Sequence, residues 1–96
     1  MNKNGILGIA MIHSMKLERF KRYGYNGTPE YYPAKLVKCY KEDKFQKIVS
    51  SNGEEVVSKG RYYTLDKVSP LDRIDGHDLL NAEHFDFVTS YYVAYV

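Results

Sequence analysis

Few side chains in this 96-residue sequence are suited to catalysis or to metal binding. The three histidines, at positions 13, 77 and 84, show none of the spacings of a metal-binding motif. Asp72, Asp75 and Asp78 could supply oxygen ligands to a cation, but their spacing is not that of an EF-hand calcium loop, and the closing glutamate is missing. We therefore expect no metal and no cofactor, and interpret this stretch as a solvated acidic turn.

The single cysteine, Cys39, excludes an internal disulfide and a cysteine-based zinc cluster. It lies within an alternating stretch, which predicts a small buried hydrophobic residue and not a nucleophile. Gly24 and Gly27 belong to a loop that lacks the strand-to-helix context of a phosphate-binding loop. We expect no catalytic residue, and hence a protein that is not an enzyme.

The strongest structural signal is a β-hairpin centred on Asn52-Gly53, a pair that readily takes the positive φ angles of a tight turn. Residues 45–50 are predicted to form its first strand, and Val56 and Val57 lie in its second strand. Gly60 predicts a bulge or sharp bend before residues 62–65. The charged residues 41–44 are interpreted as a turn that leads into this hairpin.

The rest of the chain also favours short strands. Residues 6–15 could form a buried strand or a short helix, and we favour a strand over the second half of this run that continues through Phe20. Residues 34–40 alternate in polarity. Residues 85–96 carry the strongest strand signal, so we expect this last strand to close the sheet. Residues 23–30 read as a loop, and Pro29 and Pro33 predict that pairing resumes only after Pro33. The prediction is one all-β domain over residues 1–96, a barrel or sandwich of about six mostly antiparallel strands with residues 1–5 frayed.

Ten tyrosines, four phenylalanines and no tryptophan make up an unusual aromatic content. Tyrosine suits the rim of a β-sheet core, because its ring is apolar and its hydroxyl can stay hydrated. It is also enriched in protein interfaces. Both interpretations remain open from the sequence.

The net charge of +2 is small, but the charges are unevenly distributed. Residues 16–47 contain nine Lys or Arg against four acids, whereas residues 62–96 contain two against six. A fold that mixes the two halves would neutralise them. A fold that keeps them apart would have a basic and an acidic side, and such a molecule can pack head-to-tail against copies of itself.

A nucleic-acid-binding β-barrel of the OB or SH3 type is the main alternative. Lysines recur at every third position from 35 to 47, with Tyr31, Tyr32 and Tyr40 interleaved. Such folds combine a basic groove with stacking aromatic rings. This alternative predicts that lysines and tyrosines line one groove, whereas an assembly subunit would spread them over two flanks.

The apolar run at residues 6–12 is much shorter than the roughly 20 residues that span a bilayer, and no small-residue cleavage site follows it. We expect a soluble protein that is made in a reducing cytoplasm, is not secreted and does not contact membranes.

Several segments resemble phage minor capsid proteins of the head-completion type. They are residues 11–18 (Met-Ile-His-Ser-Met-Lys-Leu-Glu), the loop at 23–28, the hairpin at 48–56 with its Ser-Asn-Gly turn, the turn at 71–76 (Leu-Asp-Arg-Ile-Asp-Gly) and the closing strand at 91–96. The chain departs from the family's glycine-lysine-aromatic step at residues 76–80, and residues 81–86 have no counterpart.

The resemblance implies a structural virion protein of the head-to-tail connector. Such a subunit would form a ring below the portal or adaptor, close the DNA channel after packaging, contact packaged DNA and join the tail. It would be located in the virion. Under this hypothesis, the interface residues are Lys35, Lys38, Tyr23, Tyr25, Tyr91 and Tyr95.

Overall fold

The computed structural model describes residues 5–6, 9–86 and 89–96. These residues form strands and connecting turns, and none of them lies in a helix that could cross a membrane. The strands are β1 (Gly5–Ile6), β2 (Ile9–Ala10), β3 (His13–Glu18), β4 (Phe20–Tyr23), β5 (Pro29–Tyr31), β6 (Lys35–Val49), β7 (Glu55–Thr64), β8 (Arg73–Ile74), β9 (His77–Asp78), β10 (Asn81–Asp86) and β11 (Ser90–Tyr95).

Seven strands form one antiparallel sheet in the order β10-β11-β7-β6-β3-β8-β9. Two small hairpins, β1-β2 and β4-β5, form separate two-stranded sheets. The prediction of a single all-β domain with mostly antiparallel pairing is confirmed. The predicted barrel is not observed, because β9 and β10 are the two edges of an open sheet and have no ladder between them among the described residues.

Although it is open, the sheet is strongly curved. Its buried cluster combines Met15 and Leu17 from β3, Ile74 from β8 and Ala94 from β11. In the sheet order, β8 and β11 are separated by three strands, so a flat sheet would hold them about 19 Å apart. The sheet must therefore curl for both strands to reach one core. The other buried members of this cluster are Val37, Cys39, Val68 and Leu79.

The long strand β6 connects the two halves of the curved sheet. Its first part pairs with β3 through residues 35–39, and its second part pairs with β7 from Tyr40 onward. The register shifts between Asp43 and Gln46, where β6 has one residue more than β7. The predicted turn at residues 41–44 is therefore wrong: the extra residue is absorbed in a β-bulge, which bends the strand without ending it.

The hairpin predicted around Asn52-Gly53 is confirmed, with Val49 opposite Glu55 and Ile48 opposite Val56. Its connection is longer than a two-residue turn. Gly53 has a φ of 89° and donates its N–H to the Ser50 carbonyl oxygen at 3.0 Å. The tighter hairpin lies elsewhere, at Asp75-Gly76, where both residues have positive φ between the paired Ile74 and His77.

Two predictions about the strands are wrong: where pairing begins near Pro29, and the place of the last strand in the sheet. Pro29 begins β5, which pairs with β4, because a proline is tolerated at the end of a two-stranded ribbon. The predicted closing strand at residues 85–96 is not one strand: residues 85–86 belong to β10, and Ser90–Tyr95 form β11, which pairs back on β10. Strand β11 lies inside the sheet between β7 and β10, and the polar strand β10 forms the edge. Gly5 lies in β1, whereas the rest of the segment that was expected to fray falls outside the described residues.

Candidate interaction surfaces

Two of the three aspartates at residues 72–78 form hydrogen bonds that connect separate parts of the fold. Asp72 is 4% exposed and accepts hydrogen bonds from the backbone N–H groups of Phe20 and Ser69 at 2.8 and 2.9 Å. It therefore ties the chain before β8 to the start of β4. Only Asp78 resembles the solvated side chain that the sequence predicted, with 87% of its side chain exposed. The described residues contain no group of His, Cys, Asp and Glu side chains arranged to hold a metal ion.

Asp75 joins the turn between β8 and β9 to three other strands. Its carboxylate accepts hydrogen bonds from the Lys16 backbone N–H at 2.8 Å and from the Tyr62 hydroxyl at 3.1 Å. The Lys41 ammonium lies 3.2 Å away. Burial by itself would raise the pKa of Asp75, but these donors outweigh burial and hold the pKa below its usual value. Burial and the nearby carboxylate raise the pKa of Tyr62 to about 12.

Cys39 lies in the core with no exposed surface. Burial raises the pKa of its thiol to about 11, so the thiol stays protonated at neutral pH. A protonated and inaccessible thiol cannot act as a nucleophile. The prediction that Cys39 is a buried hydrophobic residue is confirmed.

A half-open groove of about 510 Å³ runs beside the bulge, between β6, β7, β9 and the end of the described chain. Its walls mix cations and anions, among them Lys59, Arg61, Asp43 and Asp78. Arg61 is not available to a ligand, because its guanidinium lies 3.4 Å from the Glu42 carboxylate and over the ring of Tyr95. The groove also has apolar walls, which include Val57 and Leu80, but its charged groups are of both signs, so its charge does not define a ligand.

The first exposed surface is the ribbon β4-β5 with its loop, which we call the aromatic hairpin (residues 20–32). Tyr25 at its tip is fully exposed, and Tyr23 is 59% exposed. Phe20 and Tyr31 pack edge to face at the base, and the Arg22–Glu30 ion pair crosses the ribbon. The structure therefore exposes two of the predicted interface tyrosines together at the end of one hairpin.

The second surface, which we call the lysine face, comprises Ile12, Lys16, Leu36 and Lys38. Lys16 pairs with Leu36 across β3 and β6, so the two side chains share a face. Lys38 is two residues further along β6 and lies on that face too. Leu36 is 73% and Ile12 is 69% exposed. No carboxylate among the described residues lies within ion-pair distance of Lys16 or Lys38.

The third surface, which we call the acidic edge, comprises Glu83, Phe85, Asp86 and Tyr91 at the β10 end of the sheet. Phe85 stacks on Tyr91 with ring centroids 5.2 Å apart, and it is 36% exposed. Glu83 and Asp86 are exposed, Glu83 on the same face as Phe85 and Asp86 on the opposite face of this edge strand. Tyr91, one of the predicted interface residues, is thus half-buried and lies next to the exposed edge strand β10.

The remaining predicted interface residues are placed differently. Lys38 belongs to the lysine face, whereas Lys35 pairs with Leu17 and so points to the other side of β6. Tyr95 is only 7% exposed; its ring lies below Arg61, and burial together with a hydrogen bond to Glu83 raises its pKa to about 12. In the isolated chain, Tyr95 therefore packs against its own molecule.

The lysines of β6 do not share one groove. Lys41 pairs with Asp75, and Lys47 lies 3.7 Å from the Glu55 carboxylate. Lys38 and Lys41 point to opposite faces because they are an odd number of residues apart before the bulge. The arrangement spreads positive charge around the strand.

The sequence did not identify Ile12, Leu36 and Phe85 as exposed. A signal for Leu36 was present, because the alternation of residues 34–40 places it on the same face as Lys38. Comparisons with protein-family models, with curated proteins and with solved structures found no match to this chain.

Proposed function

We propose that this chain is a structural subunit of a phage head-to-tail connector, which assembles below the portal or adaptor, closes the DNA channel and joins the tail. The observation that carries the proposal is the presence of three separate exposed surfaces on one small sheet. They are the aromatic hairpin, the lysine face and the acidic edge, and each has apolar or aromatic side chains beside polar ones.

A connector subunit must contact a neighbour on each side and other proteins above and below it. Exposed tyrosine, phenylalanine and leucine side chains are typical anchors of such contacts, since they bury large areas on binding. Single exposed apolar side chains are ordinary on a protein surface, but here they are grouped, as Tyr23 with Tyr25 and Phe85 with Tyr91, and grouped exposure is typical of interaction sites. The resemblance of residues 11–18, 23–28, 48–56, 71–76 and 91–96 to head-completion proteins supports the same function.

The geometry gives less support to a nucleic-acid-binding barrel. That function favours lysines and aromatic rings along one continuous groove. Here Lys41 and Lys47 have carboxylate partners, and Tyr40 packs at a tilt against the rings of Tyr63 and His13 within the sheet. Contact with packaged DNA remains part of the connector proposal through the lysines that have no ion pair among the described residues.

The test is deletion of the gene from the phage or prophage that encodes it, followed by electron microscopy of the particles. A connector predicts heads that have lost their DNA together with free, finished tails, and a plasmid copy of the gene should restore complete particles. Normal infectious particles from the deletion would exclude the proposal.

A further inference from the structure

The lysine face and the acidic edge form a complementary pair. Each combines exposed charge with exposed apolar side chains. Lys16 and Lys38 lie beside Leu36, Glu83 shares one face of β10 with the Phe85–Tyr91 stack, and Asp86 projects from the other face of the same edge strand. The signs of the charges are opposite. An apolar centre with a charged rim of matched sign is the usual composition of a specific protein contact.

The two surfaces cannot meet within one molecule as a single patch. Strand β3 carries the first and β10 the second, with β6, β7 and β11 between them in the sheet. The curvature brings strands together on the core side, where Met15 and Leu17 lie, whereas Lys16 and Leu36 are on the opposite, outward side of β3 and β6. Both surfaces are therefore available at the same time to two different neighbours.

Neither surface suits a contact with its own copy across a twofold axis. Two lysine faces would bring four uncompensated ammonium groups together, and two acidic edges would do the same with carboxylates. A contact between unlike surfaces is heterologous, and a repeated heterologous contact gives a ring or a filament.

We propose that the lysine face of one copy of this chain binds the acidic edge of the next copy, and that this contact sets the subunit order of the assembly. The inference rests on the proposed function only in so far as both require self-association. It goes further by naming the two surfaces and the polarity of the contact.

Charge reversal tests the contact. Two double variants are made: one carries Lys16→Glu with Lys38→Glu, and the other carries Glu83→Lys with Asp86→Lys. Either variant should raise the apparent dissociation constant of self-association by about tenfold or more, because attraction between the two surfaces becomes repulsion. Sedimentation velocity over a series of protein and salt concentrations measures this. Lys44→Glu with Lys59→Glu is the matched control, since it makes the same charge change beside the bulge, and it should leave assembly unchanged.

Two further samples make the test specific. A chain with all four reversals should assemble again, because its reversed face meets a reversed edge. An equimolar mixture of the two double variants should also assemble, as alternating subunits. The single variant Asp86→Lys retains the Glu83–Tyr95 hydrogen bond, so it should stay folded, which circular dichroism checks. It should also raise the dissociation constant of self-association.

Several results would overturn the inference. They are a wild-type chain that stays monomeric under all these conditions, assembly that survives both double reversals, and lysine-face variants that lose only DNA binding. Assembly would survive both double reversals if the acidic edge served only to prevent unspecific strand pairing. Each leaves the gene-deletion experiment to decide the proposed function separately.

Discussion

Asp75 has a backbone φ of 50°, a conformation that aspartate tolerates better than most residues. This conformation turns its carboxylate toward donors from β3, β6 and β7, so one side chain holds the curved sheet together. A single carboxylate with three donors is a stronger connection than an exposed ion pair, because hydrogen bonds to charged groups in partly buried sites are only weakly screened.

Asp75→Asn tests this role. Asparagine keeps the tolerance for positive φ but loses the charge, so we expect the free energy of unfolding at neutral pH to fall by about 1 to 2 kcal/mol. The folded carboxyl has a pKa below its ordinary value of 3.8. The carboxylate's contribution is therefore fully present above that value and is lost as the pH falls through the folded-state pKa.

Urea unfolding of both proteins at neutral pH and at increasing acidity measures this difference, which should shrink in acid. Asp78→Asn, in the same hairpin but largely exposed, is the control and should unfold like wild type. A difference between Asp75→Asn and wild type that stays constant as the pH falls would show that the charge is not the cause.

Cys39 provides a second test at the scale of a residue. Because its thiol is buried and protonated, a thiol reagent should modify the native protein far more slowly than the protein in urea. The expected reduction in rate is at least about a hundredfold, since modification requires opening of the core. Fast labelling of the folded chain would contradict the placement of Cys39 between β3 and β7.

Alternation and turn chemistry in the sequence are enough to predict the all-β class, the hairpin at Asn52-Gly53 and the burial of Cys39. They fail where pairing overrides local preference. Residues 81–86 are mostly polar, and they form an edge strand because β11 pairs with them. The charged residues 41–44 stay extended because the bulge lets both halves of β6 keep their partners.

The exposure of Tyr23, Tyr25 and Lys38 agrees with what their loop and strand contexts predict. The burial of Tyr95 depends on Arg61 and Glu83, which come from two other strands, and no local pattern indicates such a contact. Lys35 and Lys38 are three residues apart in one strand and therefore point to opposite faces. The sequence alone is enough to predict that these two lysines do not share a surface.

The bulge in β6 also positions the hairpin tip. Ser51 donates its N–H to the Leu80 carbonyl oxygen at 2.9 Å, and the Asn81 side chain donates to the Val49 carbonyl oxygen at 2.9 Å. A bulge increases the local twist of a β-ribbon. The tip reaches the start of β10 because β6 bends at this point.

Deletion of Lys44 should remove the bulge and leave Phe45 opposite Lys59, with the flanking pairs unchanged. The straighter hairpin would then lose its contact with β10. We expect hydrogen exchange of the Ser51 amide to accelerate by about tenfold or more, as for the loss of one or two hydrogen bonds.

Lys44→Ala keeps the bulge and should leave the protection of Ser51 unchanged. Exchange in the deletion variant at the wild-type rate would mean that the bend has another origin.

At the scale of the molecule, the fold separates stability from recognition. The core lies inside the curved sheet, and the tip of the aromatic hairpin lies outside it, in a sheet of its own. Tyr25 is fully exposed there, so its removal should cost the folded monomer nothing. Under the proposed function Tyr25 is buried in the assembled state, where a buried tyrosine ring commonly contributes a tenfold or larger share of the affinity.

Tyr25→Ala should therefore unfold at the temperature of wild type, yet fail to restore complete particles when it is supplied to the deletion strain. Tyr25→Phe separates the ring from the hydroxyl: it should restore particles if burial of the ring provides the affinity, since only the hydroxyl is lost. Thermal unfolding and counts of complete particles by electron microscopy are the two measurements. Restoration by Tyr25→Ala at the wild-type level would show that the tip of the aromatic hairpin is not a docking element. The proposed contacts would then be limited to the lysine face and the acidic edge.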